Sequence, residues 1–230
     1  MLQCENVMKK YGGKAAVSNI TTNIVPGKIY ALLGSNGSGS TTFMKMVAGL
    51  VKPTSGMITY EGQSIGVESK KHIAYMPTES FYYGYMSCKD AGKFYKDFYE
   101  DFDENKYYQL LKEMNLDPEQ KVSKMSSGMT AKAKLALTLS RNSKIIMLDE
   151  PLNGIDIIAR EKVIDTVLKN ASPDNAIIMS SHLVDELEKI IDYAIFIRHG
   201  EVVVQGDAEE LRMQHGRSIV DMYKEIYKYD

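Results

Sequence analysis

The apolar residues of the chain form short runs that alternate with longer stretches of helical spacing. Each run ends at a turn-forming or polar residue, which is typical of strands in a folded core. Strands are predicted at 17–25, 29–33, 57–61, 72–76, 144–148, 176–180, 193–197 and 201–205. Because helical patterns lie between several of these runs, the sequence predicts an α/β fold.

Aromatic residues are concentrated between positions 75 and 108, which hold 12 of the 21 in the chain. Phe94, Phe98 and Phe102 are spaced at i, i+4 and i+8, which predicts one face of a helix. With Tyr95 and Tyr99 beside them, they are expected to form a small aromatic core.

A second helix is predicted at 103–116 and a third after Gly128, so residues 80–140 are expected to form a helical insert. The segment Phe81-Tyr82-Tyr83-Gly84-Tyr85 has no helical period. It belongs either to the aromatic core or to a docking surface for a partner. The core and its β layer are predicted at 1–79 and 141–215. A C-terminal helical tail is predicted at 216–230.

A glycine-rich segment lies between the predicted strand 29–33 and a helical pattern at 43–50. Its residues are Gly34, Ser35, Asn36, Gly37, Ser38, Gly39, Ser40, Thr41 and Thr42. In this context, backbone N–H groups and a helix N-terminus can bind phosphate. The segment fits the pattern G-x-x-x-x-G-K-[ST], except that Ser40 occupies the lysine position. A phosphate-binding loop and a glycine-rich turn without a ligand both remain possible at this point.

Two adjacent carboxylates, Asp149 and Glu150, follow the apolar run 144–148. Ligands bind at the carboxyl ends of the strands in open α/β sheets. One carboxylate there can hold Mg²⁺ through water, and the next can orient or deprotonate an attacking water. His182 follows another apolar run and is a candidate for the same site, with a purely structural role as the alternative.

Other candidates also have two interpretations. Tyr11 is either a surface aromatic on a hairpin or a platform for a base. Ser126 and Gly128 precede a helix and are either caps or binding residues, and Asp156 is either a cap or a contact to a partner.

Composition limits the classes of function. The chain has 230 residues, 44% of them hydrophobic and 25% charged, which is typical of a globular protein. A formal net charge of −2 argues against a protein held on nucleic acid by bulk charge. Cys4 and Cys88 have no partner at metal-ligand spacing and are expected to be ordinary thiols in a reducing cytosol. No apolar run approaches the ~20 residues that cross a bilayer.

Taken in order, these segments resemble the ATP-binding subunit of an ABC transporter. The resemblance covers approximately residues 2–210 and rests on the order of its motifs. It implies a P-loop NTPase core with an antiparallel β layer and an inserted α-helical subdomain. The short insert and Met129 make the chain similar to bacterial ABC-2-type exporter subunits of the bacitracin-resistance and acetoin-utilisation kind.

The resemblance implies ATP and Mg²⁺ as cofactors. Thr41 and Asp149 would hold Mg²⁺, with Thr78 as a weaker ligand. Glu150 would be the catalytic base, and His182 would contact the γ-phosphate.

The same resemblance assigns binding roles. Tyr11 would stack on adenine, and the loop 34–42 would hold the phosphates. Asp156 would contact a second ATP-binding subunit, and a signature would complete that subunit's site. The signature residues are Ser126, Ser127, Gly128 and Met129. A membrane-spanning permease is the other implied partner, and nucleic acid is not expected to be one. The expected location is cytoplasmic, with the chain held on the inner face of the cell membrane by the permease.

Four positions depart from the family pattern. Ser127 replaces a glycine and Met129 a glutamine, and Thr78 stands where a glutamine is usual, with Glu79 beside it as a possible substitute. Ser40 is the gravest departure, because a lysine there would place a cation on the β- and γ-phosphates. We therefore expect impaired hydrolysis by an export ATPase. The alternatives are a degenerate subunit that pairs with an intact one and a non-transport ABC ATPase.

Overall fold

The computed structural model describes residues 1–79 and 83–228, which contain ten strands and nine α-helices. The strands are β1 (Leu2–Tyr11), β2 (Lys14–Ile24), β3 (Ile29–Leu33), β4 (Ser55–Tyr60), β5 (Gln63–Ser64), β6 (Ile73–Met76), β7 (Ile145–Asp149), β8 (Ala176–Ser181), β9 (Tyr193–Arg198) and β10 (Glu201–Asp207). The helices are α1 (Ser40–Val47), α2 (Val67–Lys71), α3 (Cys88–Phe98), α4 (Glu104–Glu113), α5 (Ser127–Leu139), α6 (Ile157–Asn170), α7 (Val184–Leu187), α8 (Ala208–His215) and α9 (Ile219–Ile226).

The strands form two sheets. The larger has the order β10-β9-β3-β8-β7-β6, and its pairs are parallel except for the antiparallel hairpin β9–β10. The smaller sheet, β2-β1-β4-β5, is antiparallel. Parallel strands joined through helices and a separate antiparallel layer confirm the predicted α/β class.

Strand β3 shows how the larger sheet divides the core. All five of its residues are buried, and successive side chains point to opposite faces. Ile29, Ala31 and Leu33 pack with the helical side of the protein. Tyr30 and Leu32 pack with α1 and the antiparallel sheet. The polar loop that follows β3 therefore begins at the edge of two apolar cores, on a rigid base.

The prediction of one aromatic helical face at 94–102 was wrong. Helix α3 ends at Phe98, and Phe102 lies beyond it, paired with Arg141 in an isolated β-bridge. Phe94 is 41% and Phe98 69% exposed, whereas Phe102 is buried. The aromatic residues that pack on the core are instead Tyr95, Tyr99 and Phe102, with the Tyr95 and Phe102 ring centroids 5.7 Å apart.

Arg141 joins the helical insert to the larger sheet. Its side chain is buried and donates two hydrogen bonds to Asp101, at 3.0 and 3.1 Å. It also donates to the carbonyl oxygens of Ile73 (3.0 Å) and Lys71 (2.8 Å). The guanidinium carbon lies 4.0 Å from the ring centroid of Tyr99. One side chain thus connects α5, the loop after α3 and the start of β6.

Two composition-based expectations can be compared with the structure. Within 1–79 and 83–228, every helix is too short or too polar to cross a bilayer. Cys4 and Cys88 are both buried and free, and burial raises the pKa of the Cys4 thiol to about 12.

Candidate functional site

The glycine-rich loop requires glycine at two positions for different reasons. Gly39, immediately before α1, has a φ of 106°, in the left-handed region. A Cβ on Gly39 would lie 2.3 Å from the carbonyl oxygen of Ala16, so a side chain cannot fit. A Cβ on Gly34 would lie 2.3 Å from the Ser38 hydroxyl oxygen. The loop is therefore wrapped tightly between β2 and the start of α1.

Ser40 is the first residue of α1 and lies inside this loop. Its hydroxyl oxygen is 2.9 Å from that of Ser38, which is buried. The side chain at the lysine position of the G-x-x-x-x-G-K-[ST] pattern is therefore an uncharged hydroxyl that is paired within the loop. At the other end of the loop, the Tyr227 hydroxyl contacts the carbonyl oxygens of Leu33 (2.9 Å) and Ile197 (2.8 Å), so the C-terminal tail supports the base of the loop.

An open cavity of about 690 Å³ lies over the loop. The structure brings most of the predicted site residues to it: Tyr11, the loop residues Gly34 to Thr42, Thr78, Asp149, Glu150 and His182 all line the cavity. Lys14, Asn153 and Ser180 also line it, and the sequence analysis did not select them. Tyr11 ends β1 at the rim, is 51% exposed, and has the Lys9 ammonium nitrogen 5.1 Å from its ring centroid.

Asp149 is buried at the end of β7 and is held by three hydroxyl groups. Thr41 donates to Oδ1 at 3.2 Å, Ser180 donates to Oδ1 at 2.6 Å, and Tyr75 donates to Oδ2 at 3.1 Å. Burial, and then the Asp149 carboxylate, raise the pKa of Tyr75, which therefore stays a donor at neutral pH. Ser180 stands beside Asp149 in the parallel β7–β8 register, a neighbour that strand order alone would have revealed.

Glu150 and His182 form a pair at the edge of the cavity. Nδ1 of His182 lies 3.0 Å from Oε2 of Glu150. Burial raises the pKa of Glu150, and the hydrogen bond from His182 opposes this shift. The backbone of Glu150 has a φ of 50°, and its N–H donates to the Ser180 hydroxyl at 2.9 Å. A carboxyl group with a raised pKa, next to an imidazole, is suited to accepting a proton from water.

The segment after β6 is held by two lysines. Lys134 is buried in α5 and donates to the carbonyl oxygens of Pro77 (2.7 Å) and Thr78 (2.8 Å). Burial lowers the pKa of Lys134. Lys45 of α1 forms an ion pair with Glu79, with 2.6 Å between Nζ and Oε1. Lys45 therefore points to Glu79 and does not line the cavity over the loop.

The predicted signature lies apart from the loop. Ser126 caps α5 by accepting a hydrogen bond from the N–H of Met129 at 3.2 Å. A Cβ on Gly128 would lie 3.0 Å from the carbonyl oxygen of Gly154, so the first turn of α5 packs against the turn after Glu150. A second cavity of about 430 Å³, lined by Ser127 and Glu150 among others, lies there. None of the four signature residues lines the first cavity, although the two cavities share Thr78, Glu150 and Asn153.

Asp156 is the N-cap of α6 and accepts a hydrogen bond from the N–H of Ala159 at 3.0 Å. This geometry fulfils the capping interpretation and leaves the carboxylate exposed. Ile157 and Ile158, which follow it, are 73% and 85% exposed. Two adjacent exposed β-branched residues are unusual for a free surface.

The residues at the loop fit a nucleotide with Mg²⁺. Among the described residues, no three His, Cys, Asp or Glu side chains converge as a metal cage. Mg²⁺ does not need such a cage, because it usually binds one or two carboxylates together with phosphate and water oxygens. Asp149 and the Thr41 hydroxyl supply oxygens of this kind next to the loop. The N-terminus of α1 and the loop amides supply the partial positive charge.

Known proteins resemble the chain in sequence and in fold. A family model described as ABC transporter matches residues 17–153. The lantibiotic transport ATP-binding protein SrtF of Streptococcus pyogenes is 32% identical over 207 residues, which cover 89% of the chain and 90% of that protein.

Two solved structures show the same fold. A structure titled as the ATP-binding subunit of an ABC transporter superimposes with a TM-score of 0.88 at 23% identity, covering 99% of both chains. A dimeric ATP-binding cassette bound to ADP and phosphate superimposes with a TM-score of 0.80 at 20% identity, covering 90% of this chain and 98% of that one.

Proposed function

The chain belongs to the ABC transporter family, and on that premise we propose that it is the ATP-binding subunit of an exporter. ATP hydrolysis is the activity of this family of ATPases. The observation that carries the proposal is the cavity in which the loop, Thr41, Asp149, Glu150 and His182 converge. The lantibiotic transport protein among its relatives supports export as the process.

We assign the following chemistry to the site. The loop amides and the N-terminus of α1 bind the phosphates, and Tyr11 at the rim stacks on adenine. Asp149 and Thr41 hold Mg²⁺, which neutralises charge on the phosphates. Glu150 takes a proton from the attacking water, and His182 both orients Glu150 and contacts the γ-phosphate. Thr78 is close enough to the cavity to add an oxygen ligand through water.

Ser40 limits this chemistry. A lysine would add charge-assisted hydrogen bonds worth about 1.5–3 kcal/mol each. Losing one contact that follows charge in the transition state lowers a rate by about 10²–10³-fold. We therefore propose that the chain binds Mg-ATP through backbone and metal contacts and hydrolyses it slowly.

Calorimetric titration with Mg-ATP tests the proposal. The chain is expected to bind Mg-ATP, and Ser40→Lys is expected to bind it about 10- to 150-fold more tightly. This factor is the free energy of one restored charge-assisted hydrogen bond expressed as a ratio of dissociation constants. Ser40→Met is the matched control, because methionine fills similar space without a charge and should not tighten binding. Failure of both the parent and Ser40→Lys to bind Mg-ATP would refute the assignment.

A second subunit is required for a complete site in this proposal. The signature residues Ser126, Ser127, Gly128 and Met129 do not line the cavity over the loop. The exposed Ile157 and Ile158 beside Asp156 offer an apolar surface. The dimeric cassette with the same fold supports a dimer. In size-exclusion chromatography with Mg-ATP, the variant Ser40→Lys/Glu150→Gln is expected to dimerise, and the further substitution Ile158→Lys should prevent it.

Ser40 also favours one alternative, a degenerate subunit that pairs with an intact ABC subunit. Such a chain would bind nucleotide and close the interface but contribute little hydrolysis. A self-paired dimer of the parent chain that hydrolyses ATP at both sites would exclude this alternative.

A membrane-spanning permease is the other proposed partner, and it would place the chain on the inner face of the cell membrane. Phe81 and Tyr82 of the predicted docking segment lie outside the described residues. Tyr83 and Tyr85 are 62% and 69% exposed, with rings stacked at 5.3 Å. A separate apolar groove of about 470 Å³ is lined by Leu50, Phe94 and Phe98 among others. These exposed aromatic residues support a protein docking surface.

Substitution of the docking tyrosines separates assembly from ATP binding. Tyr83→Ser/Tyr85→Ser is expected to leave the Mg-ATP affinity unchanged and to reduce co-purification with a co-expressed permease. Unchanged co-purification would remove the tyrosines from the proposed interface.

A further inference from the structure

The cavity over the loop has an unusual balance of charge for a polyphosphate site. Asp149 and Glu150 both line it, and Ser40 contributes no charge. Mg²⁺ can offset part of this negative charge, but the phosphates of ATP themselves add more. A site of this kind needs a side-chain cation close to the phosphates to bind them tightly.

Lys9, Lys45 and Lys134 come close to this region, and all three are engaged elsewhere. Lys9 lies over the Tyr11 ring but donates to the carbonyl oxygen of Lys52 at 2.8 Å and does not line the cavity. Lys45 is paired with Glu79 and does not line the cavity. Lys134 is buried, with its ammonium group on the carbonyl oxygens of Pro77 and Thr78. Among the described residues that line the cavity, Lys14 is the single lysine or arginine, and it is exposed.

Lys14 is held at the rim by the hairpin between β1 and β2. It pairs with Tyr11 across the turn, and β2 continues through Ala16, whose carbonyl oxygen lies against Gly39. Because this contact leaves no room for even a Cβ on Gly39, the start of β2 is fixed against the end of the loop. A lysine at this place has a flexible four-carbon stem and a compact charge, which suit it to reach phosphate oxygens from the side.

We propose that Lys14 contacts the phosphates of the bound nucleotide and replaces, in part, the cation that Ser40 does not supply. The inference rests on the proposed function, because it needs a nucleotide in this cavity. Lys14 is then a binding residue that compensates for a change in the loop.

A double-mutant cycle tests the compensation. Mg-ATP affinity is measured calorimetrically for the parent, Lys14→Met, Ser40→Lys and the double variant. Lys14→Met is expected to weaken binding about 10-fold or more in the parent, because one charge-assisted hydrogen bond to the phosphates is lost. In the Ser40→Lys background, the same substitution is expected to cost less than about 3-fold, because two cations that share one anion are not additive.

Two controls separate a phosphate contact from damage to the hairpin. Lys10→Met changes another exposed lysine of the same hairpin that does not line the cavity, and it should leave ATP affinity within about 2-fold of the parent. Titration with adenosine, which has no phosphate, should give the same affinity for Lys14→Met and the parent, since Tyr11 is untouched.

Three results would overturn the inference. These are an unchanged ATP affinity in Lys14→Met, an equal loss in both backgrounds, and an equal loss for adenosine and ATP. If neither the parent nor Ser40→Lys binds ATP, the proposed function fails and the inference fails with it. If Ser40→Lys binds and Lys14→Met has no effect in the parent, only the inference fails.

Discussion

Replacement of Arg141 by methionine is expected to lower the free energy of unfolding by about 3 kcal/mol. Methionine keeps most of the apolar stem but removes the guanidinium. The change removes the guanidinium donor from two carbonyl oxygens, those of Ile73 and Lys71, and from the Asp101 carboxylate, which among the described residues keeps only the Ser143 hydroxyl at 3.3 Å. Removing one partner of a buried ion pair costs about 3–5 kcal/mol. The lower end applies here, because the Asp101 side chain is 25% exposed and water can replace part of the interaction.

Urea denaturation followed by circular dichroism measures this loss. For a chain of this length, about 3 kcal/mol corresponds to a fall in Tm of about 6–12 °C. The control is Arg217→Met, which breaks an exposed ion pair with Glu225 and should change stability by less than about 0.5 kcal/mol.

A second variant tests the physical reason. Asp101→Asn/Arg141→Met removes both charges and should be more stable than Arg141→Met alone, because no carboxylate is left unpaired. A loss of less than about 1 kcal/mol in Arg141→Met would refute the view that this side chain joins the insert to the sheet.

Two further predictions concern the carboxylates. Ser180→Ala removes the 2.6 Å hydrogen bond to Asp149. It should lower the free energy of unfolding by about 1.5–3 kcal/mol in urea denaturation and weaken Mg-ATP binding in calorimetry. Unchanged values would contradict the view that Ser180 holds the Asp149 carboxylate in place. Burial raises the pKa of Glu150 above its ordinary 4.5, so its contribution to stability is present below pH 4.5 and is lost as the pH rises through the raised pKa. Glu150→Gln should therefore be more stable than the parent at pH 7, with a difference that shrinks towards pH 4 in urea denaturation. The exposed Glu161→Gln is the control, and an equal difference for Glu150→Gln at both pH values would show that its charge is not responsible.

Much of the architecture was predictable from local patterns. β3, β7 and β8 are apolar runs that are buried throughout, and their ends carry the loop, Asp149 and His182. A run that is buried on both faces has few alternatives to a central strand, and its polar ends then meet at one edge of the sheet.

The contacts between distant elements were not predictable in the same way. Tyr75 and Ser180 reach Asp149 only because β6, β7 and β8 are neighbours in the larger sheet, and no local pattern specifies strand order. The end of α3 was misjudged because the i, i+4 spacing of the phenylalanines continues past Phe98, while Phe102 is needed in the core beside Arg141. Tertiary packing decided the helix end against the periodicity.

The backbone of Glu150 has a consequence for protein engineering. Its φ of 50° is a left-handed conformation that costs an L-residue with a Cβ about 1–2 kcal/mol and glycine almost nothing. Glycine at this position would release that strain and remove a partly buried carboxylate at the same time. A selection for heat resistance alone would therefore tend to enrich chains that have lost the proposed base, and any such library should be screened for nucleotide turnover before its most stable members are kept.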